Sequence, residues 1–356
     1  MQIQATGLIL HCRAGFESEV AAEVLARCEE HGFLGVVHSQ PDTAIVRFAL
    51  HDAVPWQSLL AITPFADWIF ARERHAWIGS IADLPTQDRA GVIAQDLAVR
   101  GLRCGRVICE FADTNAAKEV SGFLRRFTPH LEKALSRVGV LTPSETAPTL
   151  HLFFDTSAAC EIGLSAPGDA SPWPMGVPRL RMPRGAPSRS TLKLAEAFYA
   201  LMSEKERDKS LRAGLRAVDL GAAPGGWTLQ FAQRGVHVTA VDNGPLSAEV
   251  LATGMVEHRR ADGFTWRPPK PVDWMVCDMV EQPARVAVLM ADWLVKGNCR
   301  RTIFNLKLPM KKRFKEIAHC RELIDKRLRE QGLRYTLRMK HLYHDREEIT
   351  AYLTLI

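Results

Sequence analysis

Arg216-Ala-Val-Asp-Leu-Gly-Ala-Ala-Pro-Gly-Gly-Trp227 runs an apolar strand into a turn holding Gly221, Pro224, Gly225 and Gly226, and then into a helix. An open α/β sheet forms its ligand crevice at the carboxyl end of such a strand. Glycines in the turn let the backbone bend sharply and lie against a ligand. The spacing differs from G-x-G-x-x-G and Pro224 occupies the turn, which argues against a dinucleotide pyrophosphate and so against a nicotinamide dehydrogenase. Working outward, His237-Val-Thr-Ala-Val-Asp242 reads as a second strand ending in a carboxylate. It falls roughly 20 residues past the turn, where an acidic side chain meets ribose hydroxyls in such folds. The plainer reading of Asp242 is a strand-end cap before Asn243-Gly244-Pro245. Asp262, in Arg260-Ala-Asp-Gly263, comes next around the rim, with an ordinary Asp-Gly turn as its alternative.

From Ser190 onward strands and helices alternate, which means a parallel sheet covered on both faces. The expected strands are Arg216–Leu220, Val236–Val241, Val272–Asp278 and Thr302–Lys307. The expected helices are Thr191–Met202, Trp227–Arg234, Pro283–Lys296 and Lys311–Gln331. Leu333–Leu342 and Ile349–Ile356 read as a closing antiparallel hairpin. The fold class is therefore α/β, a Rossmann-like doubly wound sheet with one antiparallel C-terminal strand. Residues 1–166 read instead as two α+β pieces of ferredoxin-like or similar kind. One has strand Gly7–His11, helix Glu17–His31 and strand Thr43–Leu50; helix Leu84–Arg100 follows. The other has strand Arg106–Ala112, helix Ala116–Val138 and strands Thr149–Phe154 and Glu161–Ser165. Between the halves, residues 167–189 carry six prolines and four arginines, a stiff linker without regular helix or sheet.

The net charge of +6 is uneven: residues 300–340 hold 14 Lys/Arg against 4 Asp/Glu, and residues 179–216 hold 10 against 4. Two basic blocks flanking one crevice point to a polyanionic partner, although a solvated helix face explains the first block equally well. The eight cysteines are scattered without a CxxC pair. Free thiols in a reducing cytoplasm are expected, and no metal site. No run of 18 apolar residues suggests a membrane span, and Met1-Gln-Ile-Gln-Ala lacks the basic start of a secretory signal.

Three polar residues stand at strand ends of the second half: Asp278 after Val272-Asp-Trp-Met-Val-Cys277, Lys307 after Thr302-Ile-Phe-Asn-Leu306, and Glu348 opening the last strand. Lys193 lies on the helix before the sheet, in Ser188-Arg-Ser-Thr-Leu-Lys-Leu194. In chain order the four resemble the tetrad of FtsJ-type RNA ribose 2′-O-methyltransferases, which implies a ribose hydroxyl that must lose its proton as it attacks a methyl donor. A lysine removes that proton only if its pKa falls towards neutrality, which a neighbouring lysine promotes and a carboxylate opposes while fixing its position. Lys307 is the expected base, Lys193 the neighbouring charge, Asp278 the orienting carboxylate and Glu348 the holder of the ribose or of a lysine. Glu347 is adjacent; Glu348 is preferred because it directly precedes the apolar strand. Cys277 sits inside an apolar strand and reads as a buried thiol rather than a nucleophile.

The turn at 221–227 resembles motif I of S-adenosylmethionine-dependent methyltransferases. The whole chain is similar to the bacterial ribosomal RNA large subunit methyltransferase M family, on Ser188-Arg-Ser-Thr-Leu-Lys-Leu194, Asp219-Leu-Gly-Ala-Ala-Pro-Gly-Gly-Trp227, Val276-Cys-Asp-Met279, Asn305-Leu-Lys-Leu-Pro309 and Asp345-Arg-Glu-Glu348. Ala222 stands where the family often has Cys, at a position that offers only backbone. The resemblance implies a ferredoxin-like domain over 1–100, a THUMP-like RNA-binding region over 101–166 and a methyltransferase domain over 190–356. It implies S-adenosylmethionine held by Ser190, Gly221, Ala223, Pro224, Gly225, Gly226, Trp227, Asp242, Asp262 at the adenine, and Asp278. It further implies a cytoplasmic monomer that methylates the 2′-oxygen of a cytidine in the peptidyl-transferase loop of 23S rRNA, free or in an assembly intermediate. Two alternatives stand: a THUMP-type base methyltransferase, disfavoured by the missing Asn/Asp-Pro-Pro motif, and a non-catalytic ribosome-assembly factor that binds RNA.

Overall fold

The computed structural model describes residues 2–62 and 64–356. The chain divides into two compact units, Met1–Val177 and Pro178–Ile356.

The first unit is built on one sheet of seven strands: β1 (Gln4–His11), β2 (Gly35–Ser39), β3 (Ile45–Pro55), β4 (Glu73–Ile81), β5 (Arg106–Glu110), β6 (Thr149–Thr156) and β7 (Ala159–Ser165), in the order β2-β3-β1-β4-β7-β6-β5. Its helices are α1 (Glu17–Glu30), α2 (Trp56–Ala61), α3 (Arg89–Val99) and α4 (Lys118–Arg137). Among the described strands of this unit, only β5 and β6 pair in parallel, and a parallel pair needs a crossover. Helix α4 is that crossover: Leu124, Phe127, Leu131 and Leu135 recur on one face and are buried. The two α+β pieces read from the sequence are thus halves of a single sheet, joined where β4 pairs with β7. Strands β2 and β4 escaped the sequence reading. In β4 the run Glu73-Arg-His75 looks like surface, yet it is buried. The charges are tolerable there because they are paired: Arg74 donates to Asp169 at 2.7 Å, and Glu73 accepts the Ser171 N–H at 3.1 Å. The expected boundary at residue 100 falls just after α3, a helix that packs against α4.

The stretch 167–189, expected as a stiff linker, is tied to the first unit over its opening residues. Asp169, Ser171 and Met175 are hydrogen-bonded into the first unit, the last through its N–H to Glu110 at 2.7 Å. Only one short 3-10 turn, Pro174–Gly176, forms in the stretch.

The second unit carries β8 (Arg216–Leu220), β9 (His237–Val241), β10 (Val256–Arg259), β11 (Val272–Cys277), β12 (Cys299–Lys307), β13 (Tyr335–Lys340) and β14 (Glu348–Leu355). Their order is β10-β9-β8-β11-β12-β14-β13. The pairings from β10 to β12 are parallel, and β14 alone runs against both its neighbours. Helices α5 (Thr191–Leu201), α6 (Glu204–Ser210), α7 (Gly226–Ala232), α8 (Ala248–Leu251), α9 (Pro283–Val295) and α10 (Arg313–Arg329) complete it. The order reverses at β8, so the crevice opens at the carboxyl ends of β8 and β11. Under it lies a core of Leu194, Phe198, Phe231, Trp274 and Tyr352. Phe231 meets Phe198 edge-on at 5.6 Å between centroids and lies 5.6 Å from Trp274. Among the described residues, no helix is long and apolar enough to cross a membrane, and all eight cysteines are free thiols.

Phe231→Ala leaves a cavity among rigid aromatic neighbours and is expected to destabilise the second unit by about 3–5 kcal/mol, read from urea unfolding monitored by tryptophan fluorescence. A loss under about 1 kcal/mol would mean that this aromatic cluster does not carry the core.

Candidate active site

The glycine turn leaves β8 with Gly221 at φ +75° and enters α7 through Gly225 at φ +110°. Both values lie in the left-handed region that side chains avoid. Space forbids a side chain at these positions as well. A Cβ on Gly221 would stand 2.4 Å from Met279 Cγ, and one on Gly225 2.9 Å from Val250 Cγ2. The turn is therefore pressed against Met279, the residue following Asp278. The Ala223–Pro224 bond is cis. Asp242, at the end of β9, closes the turn from the side: its carboxylate accepts the N–H groups of Ala223 at 2.9 Å and Gly244 at 2.7 Å. Asp262 is exposed and accepts the Phe264 N–H at 2.9 Å, an Asp-Gly turn contact.

Trp227 is 2% exposed, in the core. Its indole N–H donates to the Ser190 carbonyl at 3.1 Å. The buried ring thereby holds the start of α5 against α7. Ser190 itself faces the crevice, and its hydroxyl donates to Asp278 Oδ2 at 2.7 Å.

Lys193, Asp278, Lys307 and Glu348 meet in one alternating ring. Lys307 Nζ lies 2.7 Å from Asp278 Oδ1 and 3.1 Å from Glu348 Oε2. Lys193 Nζ lies 3.7 Å from Asp278 Oδ2 and pairs closely with Glu348 Oε1. Two positive and two negative groups, all largely withdrawn from water, balance one another. Burial disfavours the charge on each carboxylate, but the two lysines outweigh it and hold Asp278 and Glu348 below their ordinary values. Glu347 turns away to Arg313 at 2.6 Å.

The ring corrects one expectation. A neighbouring lysine was to draw the Lys307 pKa down. Burial does press it down, but Asp278 and Glu348 prevail and hold it above the ordinary lysine value. With these partners Lys307 is a charged ammonium at neutral pH.

Behind the ring stands a polar chain that motif reading left without roles. Asn305 donates to Asp278 Oδ1 at 2.8 Å, and the Thr350 hydroxyl lies 2.7 Å from Asn305 Oδ1 and 2.9 Å from Asp345 Oδ2. Burial, with Glu348 and Glu196 nearby, pushes the Asp345 carboxyl well above the usual range. When it carries its proton, it donates to Thr350, whose own hydrogen is then free for Asn305. The register explains the alignment: Asn305 faces Thr350 and Lys307 faces Glu348 across β12 and β14. Side chains two apart share one face of a strand, so polar residues at i and i+2 in two otherwise apolar strands were the available signal. Glu196, three residues after Lys193, accepts the N–H groups of Tyr343 at 2.8 Å and His344 at 2.9 Å. It thereby ties the loop before Glu348 to α5.

Asp219 is buried beneath the turn. Its Oδ2 accepts the Thr228 hydroxyl at 2.6 Å, whereas Oδ1 is buried without a partner. Burial pushes its carboxyl up to about 7. Cys277 is fully buried and its thiol is pushed up to about 12, which removes it as a nucleophile near neutral pH.

A doubly wound sheet with a bare glycine turn, a carboxylate at the end of the next strand and a lysine–carboxylate ring at its mouth has the build of a methyl-transfer domain, and residues 186–304 match the model of FtsJ-like methyltransferases. Residues 5–75 match the RlmM ferredoxin-like domain, and residues 88–166 match the N-terminal model of ribosomal RNA large subunit methyltransferase M. The chain is 54% identical over 354 residues to the ribosomal RNA large subunit methyltransferase M of Azoarcus sp., covering 98% of this chain and 96% of the relative. It is 47% identical over 351 residues to that of Methylococcus capsulatus, covering 99% of each. The chain belongs to the ribosomal RNA large subunit methyltransferase M family. As an FtsJ-like methyltransferase domain, its second unit uses S-adenosylmethionine.

The Asp219 proton makes stability depend on pH. With the folded carboxyl raised to about 7, the native chain holds a proton that the unfolded chain has released, so stability falls as pH rises to about 7 and then levels. Asp219→Asn carries no titrating proton and is expected to flatten this fall in Tm between about pH 5 and pH 8. An unchanged slope would show that Asp219 titrates normally.

Proposed function

We propose that this chain transfers the methyl group of S-adenosylmethionine to the 2′-oxygen of a cytidine in the peptidyl-transferase loop of 23S rRNA, acting as a cytoplasmic monomer on free RNA or an assembly intermediate. The observation that carries the reading is that the lysine–carboxylate ring abuts the glycine turn: Met279, next to Asp278, lies against Gly221. The cofactor supplies an electrophilic methyl on a sulfonium. The residues suit it: the turn has no room for side chains, and Asp242, whose carboxylate holds the turn through the Ala223 N–H, is assigned to the cofactor's ribose in this reading.

Lys307 is the base in this reading. It starts as an ammonium held by Asp278 and Glu348 and must lose a proton first. Positive charge brought into the crevice and exclusion of water by bound RNA both favour that loss. The neutral amine would then take the hydroxyl proton, while the bound cofactor would supply the methyl carbon to the oxygen and leave as a neutral thioether. Asp278 and Glu348 keep the amine aimed, and Lys193 faces the nucleotide as the remaining cation. The THUMP-type base methyltransferase is less well supported, since Cys277 is buried and no Asn/Asp-Pro-Pro follows β11.

Lys307→Ala is expected to lower methyl transfer by about 10²–10⁴-fold, with RNA binding retained. Label from the cofactor should appear in alkali-resistant dinucleotides, because a methylated 2′-oxygen cannot attack its phosphate; label in mononucleotides would mean base methylation. For the wild type, kcat/KM should climb across the neutral range without levelling, as a base with a raised pKa in the free enzyme requires. A plateau below pH ~7 would remove Lys307 from the role.

A further inference from the structure

The first unit encloses a cluster that methyl transfer does not use. His11 ends β1, His75 lies in β4, Glu110 ends β5 and His151 lies in β6; each is at most 2% exposed. Three imidazoles crowd one carboxylate oxygen. Glu110 Oε2 stands 3.7 Å from His11 Nε2, 3.7 Å from His75 Nδ1 and 2.9 Å from His151 Nδ1. The other oxygen, Oε1, is occupied by the Met175 N–H.

The hydrogen bonding is unfinished. His151 is satisfied, between Glu110 and the Ser165 hydroxyl at 2.8 Å. His11 Nε2 and both ring nitrogens of His75 are buried without a hydrogen-bond partner. Burying such groups unpaired is costly, and unsatisfied groups in native cores call for a cause. The fold also makes room for this arrangement. A Cβ on Gly163 would stand 2.0 Å from His75 Cδ2, so glycine there lets the His75 ring lie flat, stacked on His151 at 4.6 Å between centroids.

We propose that His11 Nε2, His75 Nδ1 and Glu110 Oε2 are the ligands of one divalent first-row transition ion, for which Zn²⁺ is the best fit. The three donor atoms lie within 4.8 Å of one another. Tetrahedral zinc, with bonds near 2.0–2.1 Å, sets neighbouring ligand atoms about 3.4 Å apart, so the 3.7 Å separations need only a slight contraction. Imidazole with carboxylate suits zinc better than it suits calcium or magnesium, which take oxygen. His151 fixes the carboxylate from behind, as outer partners of metal ligands do. Scattered cysteines were the ground for expecting no metal, and none of these donors is a cysteine.

The position defines the ion's work. His11 and His75 come from the segment matching the ferredoxin-like model, and Glu110 from the segment matching the N-terminal family model. The ion would clamp the two halves of the seven-stranded sheet together. This inference rests on the first unit alone and stands whether or not the proposed reaction is correct.

The test is to express the full chain in cultures supplied with Zn²⁺ or, separately, Co²⁺, and to measure metal content and the visible spectrum after purification. One equivalent per chain is expected, with Co²⁺ showing d–d bands and no thiolate charge-transfer band. His11→Gln and His75→Gln should be folded by circular dichroism yet nearly metal-free, while His151→Gln weakens binding by about 10–100-fold. Wild-type chain that emerges metal-free from both cultures, a thiolate band, or metal retained in folded His11→Gln and His75→Gln chains would each overturn the proposal. Should those variants not fold, the wild-type stoichiometry and cobalt spectrum decide it.

Discussion

Asp278 accepts three hydrogen bonds and faces a second cation. The Ser190 hydroxyl, the Asn305 amide and Lys307 each lie within 2.8 Å of its carboxylate, and Lys193 completes the shell at 3.7 Å. These groups come from the start of α5 and from β12, so one carboxylate at the end of β11 ties helix, central strand and neighbouring strand at the mouth of the crevice. A buried carboxylate is tolerable only when charge and hydrogen bonds replace lost water. Asp278 meets that condition, and the elements that meet it are thereby held in place.

The ring that follows is a resting state, not a primed one. Two lysines and two carboxylates cancel, and the cancellation holds Lys307 protonated. Such an arrangement keeps the site rigid and electrically quiet until other charges enter. Behind it, the chain from Asn305 through Thr350 to Asp345 fixes the Asp278 carboxylate from the protein side, leaving the lysines facing the crevice. The pairing of Glu196 with the backbone of Tyr343 and His344 does the same for the loop that delivers Glu348.

The two units handle buried charge differently. In the second, every charge of the ring has its opposite within reach. In the first, Arg74 and Glu73 are paired, whereas Glu110 faces three histidines, two of which have ring nitrogens without partners. That contrast, between a completed polar network and one lacking a member, separates a site that works with its own side chains from one built around something further.

The second unit was legible in the sequence because its signals are local. A glycine turn after an apolar strand, alternation of strand and helix, and polar residues at strand ends all depend on neighbours in the chain, and these mark Asp278, Lys307 and Glu348; Lys193, on a helix, is singled out by the resemblance of the ordered set to the FtsJ-type tetrad. The first unit was less legible. Strand β4 carries its charges into the core because partners such as Asp169, 95 residues away, receive them, and no local pattern announces a partner that distant. Tertiary structure alone decided that two α+β pieces share one sheet, that the Trp227 indole is buried against the start of α5, and that the carboxylates dominate the Lys307 proton. Residue types and spacing determined which groups could reach the crevice. Burial and distance decided their charge, since a pKa depends on the few ångströms around a group and not on its neighbours in sequence.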